Sequence, residues 1–281
     1  MKILFAGDLH LVWDAQGIFL LEYAMMKTRE QFPDCELAIQ VGDFGFSSST
    51  FEAAFRNAPK LPYRLLAIDG NHEDHTWLKS TGWGKGWDLK YNMEYMPRGS
   101  VIQIDGRHIG FLGGAMNVDR AQHGKTKFGT QNFISNANVK YALTNFNKYN
   151  PDLIVTHSCP HGIGIGMAGA ACFLPSIQKY VYTPYSLPPT DILDCGEHAL
   201  KDLWDKLEKK PANWVFGHFH CQHRKVIGNT EFVCVGSTDF TDHHQSFLPI
   251  VYDTIDNQIT IGDRISYFPQ APDKNEKKAF R

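Results

Sequence analysis

Five apolar runs in this chain end in the same way, and that repetition limits the possible folds more than any other feature. ILFAG (3–7) leads into Asp8 and His10, and LAIQVG (37–42) into Asp43. LLAIDG (65–70) leads into Asn71 and His72, LIVT (153–156) into His157, and WVFG (214–217) into His218 and His220. The runs do not alternate with polar residues, so they read as strands buried on both faces. In open α/β sheets the carboxyl edge of such strands is where ligands bind. One Asp after one strand is ordinarily a turn or cap residue. Oxygen and nitrogen donors after five strands point to a site.

The remaining pattern supplies the layers. SVIQID (100–105) and HIGFLGG (108–114) flank Gly106-Arg107, read as a hairpin turn, and EFVCVG (231–236) and FLPIVYD (247–253) are further strands. Residues 17–31 carry Ile18, Leu21 and Met25 on one face. Val139, Ala142, Leu143 and Phe146 follow helical spacing, as do Leu200, Leu203, Trp204 and Leu207. Asp194 stands where it can cap the last helix, with Glu197 three residues on. Two-sided strands with intervening helices predict an α/β layered sandwich. Residues 1–270 read as one domain, with long loops at 75–99 and 158–193 and a flexible tail at 271–281.

Composition narrows the setting. Of 281 residues, 43% are hydrophobic and 21% charged, enough for a substantial core. A net charge of -2 gives no general excess of Lys and Arg to attract nucleic acid. The six cysteines form no CxxC and read as reduced thiols of a cytoplasmic protein. The run before Asp8 is too short for a signal peptide, and GIGIGMAGAACFLP (162–175) is too short and glycine-rich to span a bilayer. Nothing in the sequence sets an oligomeric state.

The donors Asp8, His10, Asp43, Asn71, His157, His218 and His220 exceed what one zinc-like ion takes at a catalytic site. They suffice for two ions if one carboxylate bridges them, the arrangement that clamps both oxygens of an in-line displacement at phosphorus. In extended chain, positions i and i+2 face one side, so Asp8 with His10, and His218 with His220, can converge on one point. Mixed oxygen and nitrogen donors favour Mn, Fe, Zn or Ni over calcium, with Mn the first expectation.

GDLH (7–10), VGDFG (41–45), DGNHED (69–74), THSCP (156–160) and GHFH (217–220) together resemble, in order and spacing, the calcineurin-like metallophosphoesterase superfamily. The resemblance implies a four-layer αββα sandwich around two metals. By it, Asp8, His10, Asp43 and His220 hold the first metal; Asp43 bridges, and Asn71, His157 and His218 complete the second. His72 matches a non-ligand histidine that orients the phosphate and protonates the leaving oxygen. A metal-bridging hydroxide would attack phosphorus.

The chain departs from the superfamily's phosphoprotein phosphatases, which follow the bridging Asp with Asp-Arg-Gly. Here GDFGFSSS puts Phe46 where that Asp would stand. Asp69, Glu73 and Asp74 are the carboxylates left to partner His72. Arg120 is the candidate substrate-side cation. His161 and His223 lie close to ligands in sequence but exceed the set. Trp77, Trp83, Trp87, Tyr91 and Tyr95, interleaved with Lys85 and Lys90, read either as a nucleobase platform or as a hydrophobic staple for the loop. The expected substrate is a phosphoester, possibly a nucleotide, cleaved by a phosphodiesterase or nucleotide phosphatase. Alternatives are a phosphoprotein phosphatase, a DNA or RNA nuclease, and a non-catalytic scaffold.

Overall fold

The structure, a computed structural model, describes residues 1–10, 16–45, 60–80, 92–116, 132–163, 194, 196–236 and 246–266. Fourteen strands and four helices are described. The first sheet carries β1 (Lys2–Ala6), β2 (Cys35–Gln40), β3 (Arg64–Ala67) and β4 (Met93–Tyr95), all parallel. β12 (Ile250–Asp253) and β13 (Gln258–Ile261) close its other edge antiparallel, in the order β13-β12-β1-β2-β3-β4. The second sheet has the order β5-β6-β7-β8-β10-β9. Its parallel centre is β6 (Arg107–Leu112), β7 (Leu153–Thr156), β8 (Asn213–Phe216) and β10 (Thr230–Cys234), and its antiparallel edges are β5 (Ser100–Ile104) and β9 (His223–Ile227). A small ribbon pairs β11 (Ser246–Phe247) with β14 (Ile265–Ser266).

Alternation along each strand explains the stacking. Ile3 and Phe5 of β1 meet Ile109 and Phe111 of β6, Val155 of β7 and Val215 of β8 in one core between the sheets. Leu4 and Ala6, pointing the other way, pack with Leu21 and Met25 of α1 (Gln16–Gln31) and Leu78 of α2 (His75–Ser80). On the far face of the second sheet, Ile154, Trp214 and Phe232 pack with Val139, Ala142 and Phe146 of α3 (Asn136–Tyr149) and Leu200 and Leu203 of α4 (His198–Lys206). Each such side chain taken from water stabilises the fold by roughly 1.5–3 kcal/mol before chain entropy is counted. Buried Trp214 keeps its indole N–H satisfied by donating to Thr156 Oγ1 at 2.8 Å. The result is the expected α/β sandwich: two mixed sheets face to face, with helices outside.

Local details differ from the sequence reading. The hairpin turns on Asp105-Gly106, one residue earlier than Gly106-Arg107. Both residues have positive φ (50° and 82°) and Ile104 pairs with Arg107, as a two-residue turn with right-handed strand twist requires. The 75–99 segment is no uninterrupted loop, since α2 opens it and β4 lies near its end. Asp194 does not cap α4; Glu197 holds that position without a side-chain cap bond. Asp194 instead accepts the N–H of Gly162 (2.5 Å) and Gly196 (2.8 Å), tying the chain after β7 to the start of α4. Most of 158–193 and the whole 271–281 tail lie outside the described residues. Among those described, no helix is long and apolar enough to cross a membrane.

Candidate metal centre

The seven donors sit in turns just beyond β1, β2, β3, β7 and β8, at one rim of the sandwich. The turns are knitted to one another. Asp8 N donates to Gly42 O (3.2 Å), His10 N to Asp43 O (2.8 Å) and Gly217 N to His157 O (2.9 Å). Five of the donors, Asp8, His10, Asp43, His218 and His220, have φ between 44° and 72°. L-residues other than Gly, Asn and Asp seldom adopt that left-handed backbone, and where they do, function is commonly the reason.

Two triads emerge. Asp8, His10 and His220 form one; Asp43, His157 and His218 form the other. So His218 and His220 part, one to each triad, as the resemblance implies and against the simple extended-chain spacing. β8 stops at Phe216, and the left-handed turn beyond it sends the two rings to different triads. In the first triad His10 Nε2 and His220 Nε2 are 3.2 Å apart, and His220 Nε2 is 3.5 Å from Asp8 Oδ1. In the second, His157 Nε2 lies 3.4 Å from Asp43 Oδ2 and 3.1 Å from Asn71 Oδ1. Donors held about 2.0–2.1 Å from one tetrahedral ion stand about 3.3–3.4 Å from each other, so these spacings fit first-row divalent cations.

Hydrogen bonding aims the lone pairs. His157 Nδ1 donates to Val41 O at 2.8 Å, leaving Nε2 as the donor atom that faces Asp43 and Asn71. Asp43 Oδ1 accepts the N–H groups of Asn71 (2.8 Å) and His72 (2.9 Å), which leaves Oδ2 between the triads. Asp8 accepts the N–H of His218 on both oxygens, at 3.1 and 3.0 Å. Glycine is required beneath them. A Cβ on Gly70 would stand 2.1 Å from Asp43 Oδ1, and one on Gly42, at φ 101°, would stand 2.3 Å from His157 Nδ1.

Electrostatics call for positive charge here. Burial alone disfavours a charged His157, yet the adjacent Asp43 outweighs it and the ring's pKa is pushed up to about 10. Burial would raise Asp43, but His157 and His72 hold it well below the usual carboxylate range. Burial, reinforced by His157, pushes His218 down to about 3. The second triad thus favours positive charge beside Asp43, which a metal would supply.

His72 borders the first triad, its ring edge-on to His10 at 5.3 Å between centroids. The three carboxylates considered as its partner are engaged elsewhere. Glu73 accepts the N–H groups of Phe44, Gly45 and Gly70, lacing together the turns that carry Asp43 and Asn71. Asp74 accepts from Thr76 and Trp77 at the start of α2. Asp69 is paired with Arg98 and Tyr95. His161 stacks on His198, and His223 lies in edge strand β9, so both stay out of the triads. Arg120, Phe46, Trp83, Lys85, Trp87, Lys90 and Tyr91 lie outside the described residues. Tyr95 and Trp77 pack against the core under α1 and α2, the stapling role rather than a platform.

This fold, the order of the five blocks and the paired triads resemble those of the calcineurin-like metallophosphoesterase superfamily. At finer grain, the chain is similar to lariat debranching enzymes. It is 25% identical to that of Entamoeba histolytica over 72% of this chain and 53% of the relative. It is also 25% identical to that of Schizosaccharomyces pombe, over 60% of this chain and 35% of the relative. The chain therefore spans about half or less of the length of the curated relatives it matches. A dimetal phosphatase from Danio rerio superposes with a TM-score of 0.52 at 13% identity, covering 95% of this chain and 99% of that one. No protein-family model matches the sequence.

Proposed function

We propose that the chain is a dinuclear-metal phosphoesterase, with a phosphodiester as its preferred substrate class. One observation carries the reading. Asp43 Oδ2 stands 3.4 Å from His157 Nε2 in one triad and 4.0 Å from His10 Nε2 in the other, where a single oxygen can serve both ions. Asp8, His10, Asp43 and His220 would hold the first ion, and Asp43, Asn71, His157 and His218 the second. Two divalent ions held by these residues would supply Lewis acidity to a phosphoryl group and a bound water with pKa lowered towards ~7. Manganese is the ion to test first, with iron, zinc and nickel next.

The chain's own residues do the rest. Asp43 and His157 keep the donor atoms fixed before substrate arrives. His72, beside the more open triad, orients the phosphoryl group and hands a proton to the leaving oxygen. Arg120 is a candidate for the substrate's remaining charge. The debranching relatives and the absent Asp-Arg-Gly block favour a diester over a phosphoprotein. Residues 1–270 are read as the catalytic domain. The unbridged, buried thiols of Cys35 and Cys234 suit a reducing compartment, in keeping with the cytoplasm.

The test is manganese-dependent hydrolysis of a chromogenic diester beside the matching monoester. The expected outcome is diester turnover abolished by chelation. Asp43→Asn should lower it by on the order of 10³-fold, about 4 kcal/mol of barrier. A protein that binds two ions yet leaves every phosphoester intact would instead be a scaffold.

A further inference from the structure

Behind the second triad lies a closed ring of buried hydrogen bonds that includes no metal ligand side chain. Asp69 opens the turn that carries Asn71, and it is fully buried. Its Oδ2 accepts from Arg98 Nε at 2.9 Å and Nη2 at 2.5 Å, and its Oδ1 accepts from Tyr95 at 2.7 Å. Arg98 Nη2 also donates to Asn132 O at 3.2 Å, and Nη1 to Phe133 O at 2.8 Å. Asn132 Nδ2 then donates to Asn71 O at 2.6 Å, which closes the ring on the turn where it began.

The ring also joins the two sheets. Asp69 follows β3 of the first, and its carbonyl accepts from Gly114 N, beyond β6 of the second, at 2.8 Å. Ala115 N donates to Asn132 O at 3.1 Å. Arg98 Nη1 reaches Asn138 Oδ1 at 3.3 Å, the residue of the capping box at the start of α3.

Stability is a poor reason for such a ring. A buried ion pair is commonly matched or bettered by apolar side chains of similar volume. Asn132 is fully buried, and among the described residues its Oδ1 meets no donor. Leaving that acceptor unmet costs about 1–3 kcal/mol, which the single bond to Asn71 O does not restore. What the ring does fix is Asn71. Its carbonyl is held by Asn132 and its N–H by Asp43 Oδ1, so the backbone that aims Asn71 Oδ1 towards His157 is pinned on both sides.

The geometry points to Asn132 and the Asp69–Arg98 pair as positioning residues for Asn71, setting the affinity of the second ion independently of the first. This rests on the dinuclear reading above. Partners that orient ligands in this way change metal affinity by about 10–100-fold when removed.

The experiment is manganese titration of the full chain by calorimetry and EPR, with thermal melts of the same samples. Two variants are used. Asn132→Ala removes one bond and the unmet acceptor. Asp69→Asn combined with Arg98→Met removes the ion pair without leaving a lone buried charge. Wild type should bind two ions in resolved steps. In both variants one of the two steps, that of the ion held by Asn71, should weaken by about 10–100-fold, the other step should not move, and in Asn132→Ala the melting temperature should stay near wild type. If the variants melt lower but bind both ions as wild type does, or if both steps weaken together, the ring is merely structural. If wild type itself takes up a single ion, the dinuclear reading fails first, and that result is seen before any variant is made.

Discussion

The two triads share a rim and a chemistry but differ in how they are held. In the first, the side chains of His220 and His10 are 30% and 15% exposed, and only Asp8 is sealed. In the second, His157 and Asp43 are 0% and 2% exposed, and the Asn71 backbone is braced from behind. One is a half-open clamp facing solvent, the other a socket set largely in the interior, with only His218 partly exposed. Sites that exchange ligands and move protons need access, whereas a fixed ion needs rigidity, and here the two demands fall on different sides of Asp43.

The largest expected effect probes the open side. His72→Asn should cut diester hydrolysis by about 10²–10⁴-fold while two ions remain bound, the loss expected of a proton donor. Metal content and single-turnover rates measured on one sample check it. Full turnover in this variant would remove the open triad's claim to the proton chemistry.

A stability comparison tests the contrast itself. In metal-free protein, His157→Ala strips a buried carboxylate of its partner and should cost about 3–5 kcal/mol. His220→Ala also takes a partner from buried Asp8, but its ring is 30% exposed and Asp8 keeps the N–H of His218, so the loss should be smaller, about 1 kcal/mol. Urea melts of the two variants side by side decide this, and equal losses would mean that the triads are not built differently.

The smallest effect concerns acid. Burial holds His75 neutral, its pKa lowered despite nearby Asp69. The unfolded chain takes up that proton below about pH 6.5 and the folded chain only lower, so stability falls as pH drops through this window. The slope has a ceiling of about 1.4 kcal/mol per pH unit for one group. His75→Leu should flatten the decline between roughly pH 6.5 and pH 5, as followed by thermal melts across pH.

The sequence announced the rim better than its frame. Strands β1, β2, β3, β7 and β8 are continuous apolar runs, and the donors that follow them could be read directly. Edge strands carry less signal. β9, HRKVI, has an intermediate-exposed-exposed-exposed-intermediate pattern and β4 is three residues long, so neither stands out from loop. The hairpin turn was displaced by one residue because Asp105 and Gly106 both suit positive φ, and only the Ile104–Arg107 register chooses between the alternatives. The sorting of His218 and His220 into separate triads depends on left-handed turns that no periodicity reveals. The ring behind Asn71 was wholly hidden. Its links cross 29 residues from Asp69 to Arg98 and 61 from Asn71 to Asn132, and each partner alone reads as an ordinary polar residue.

The left-handed backbone at five donor positions has a consequence for durability. At the three of these that are histidines, His10, His218 and His220, glycine or asparagine would sit with less strain, by about 1–2 kcal/mol at each. A search for heat-resistant variants, blind to turnover, would therefore drift towards erasing the very side chains that make the rim reactive, and the hardiest form of this chain would be an inert one.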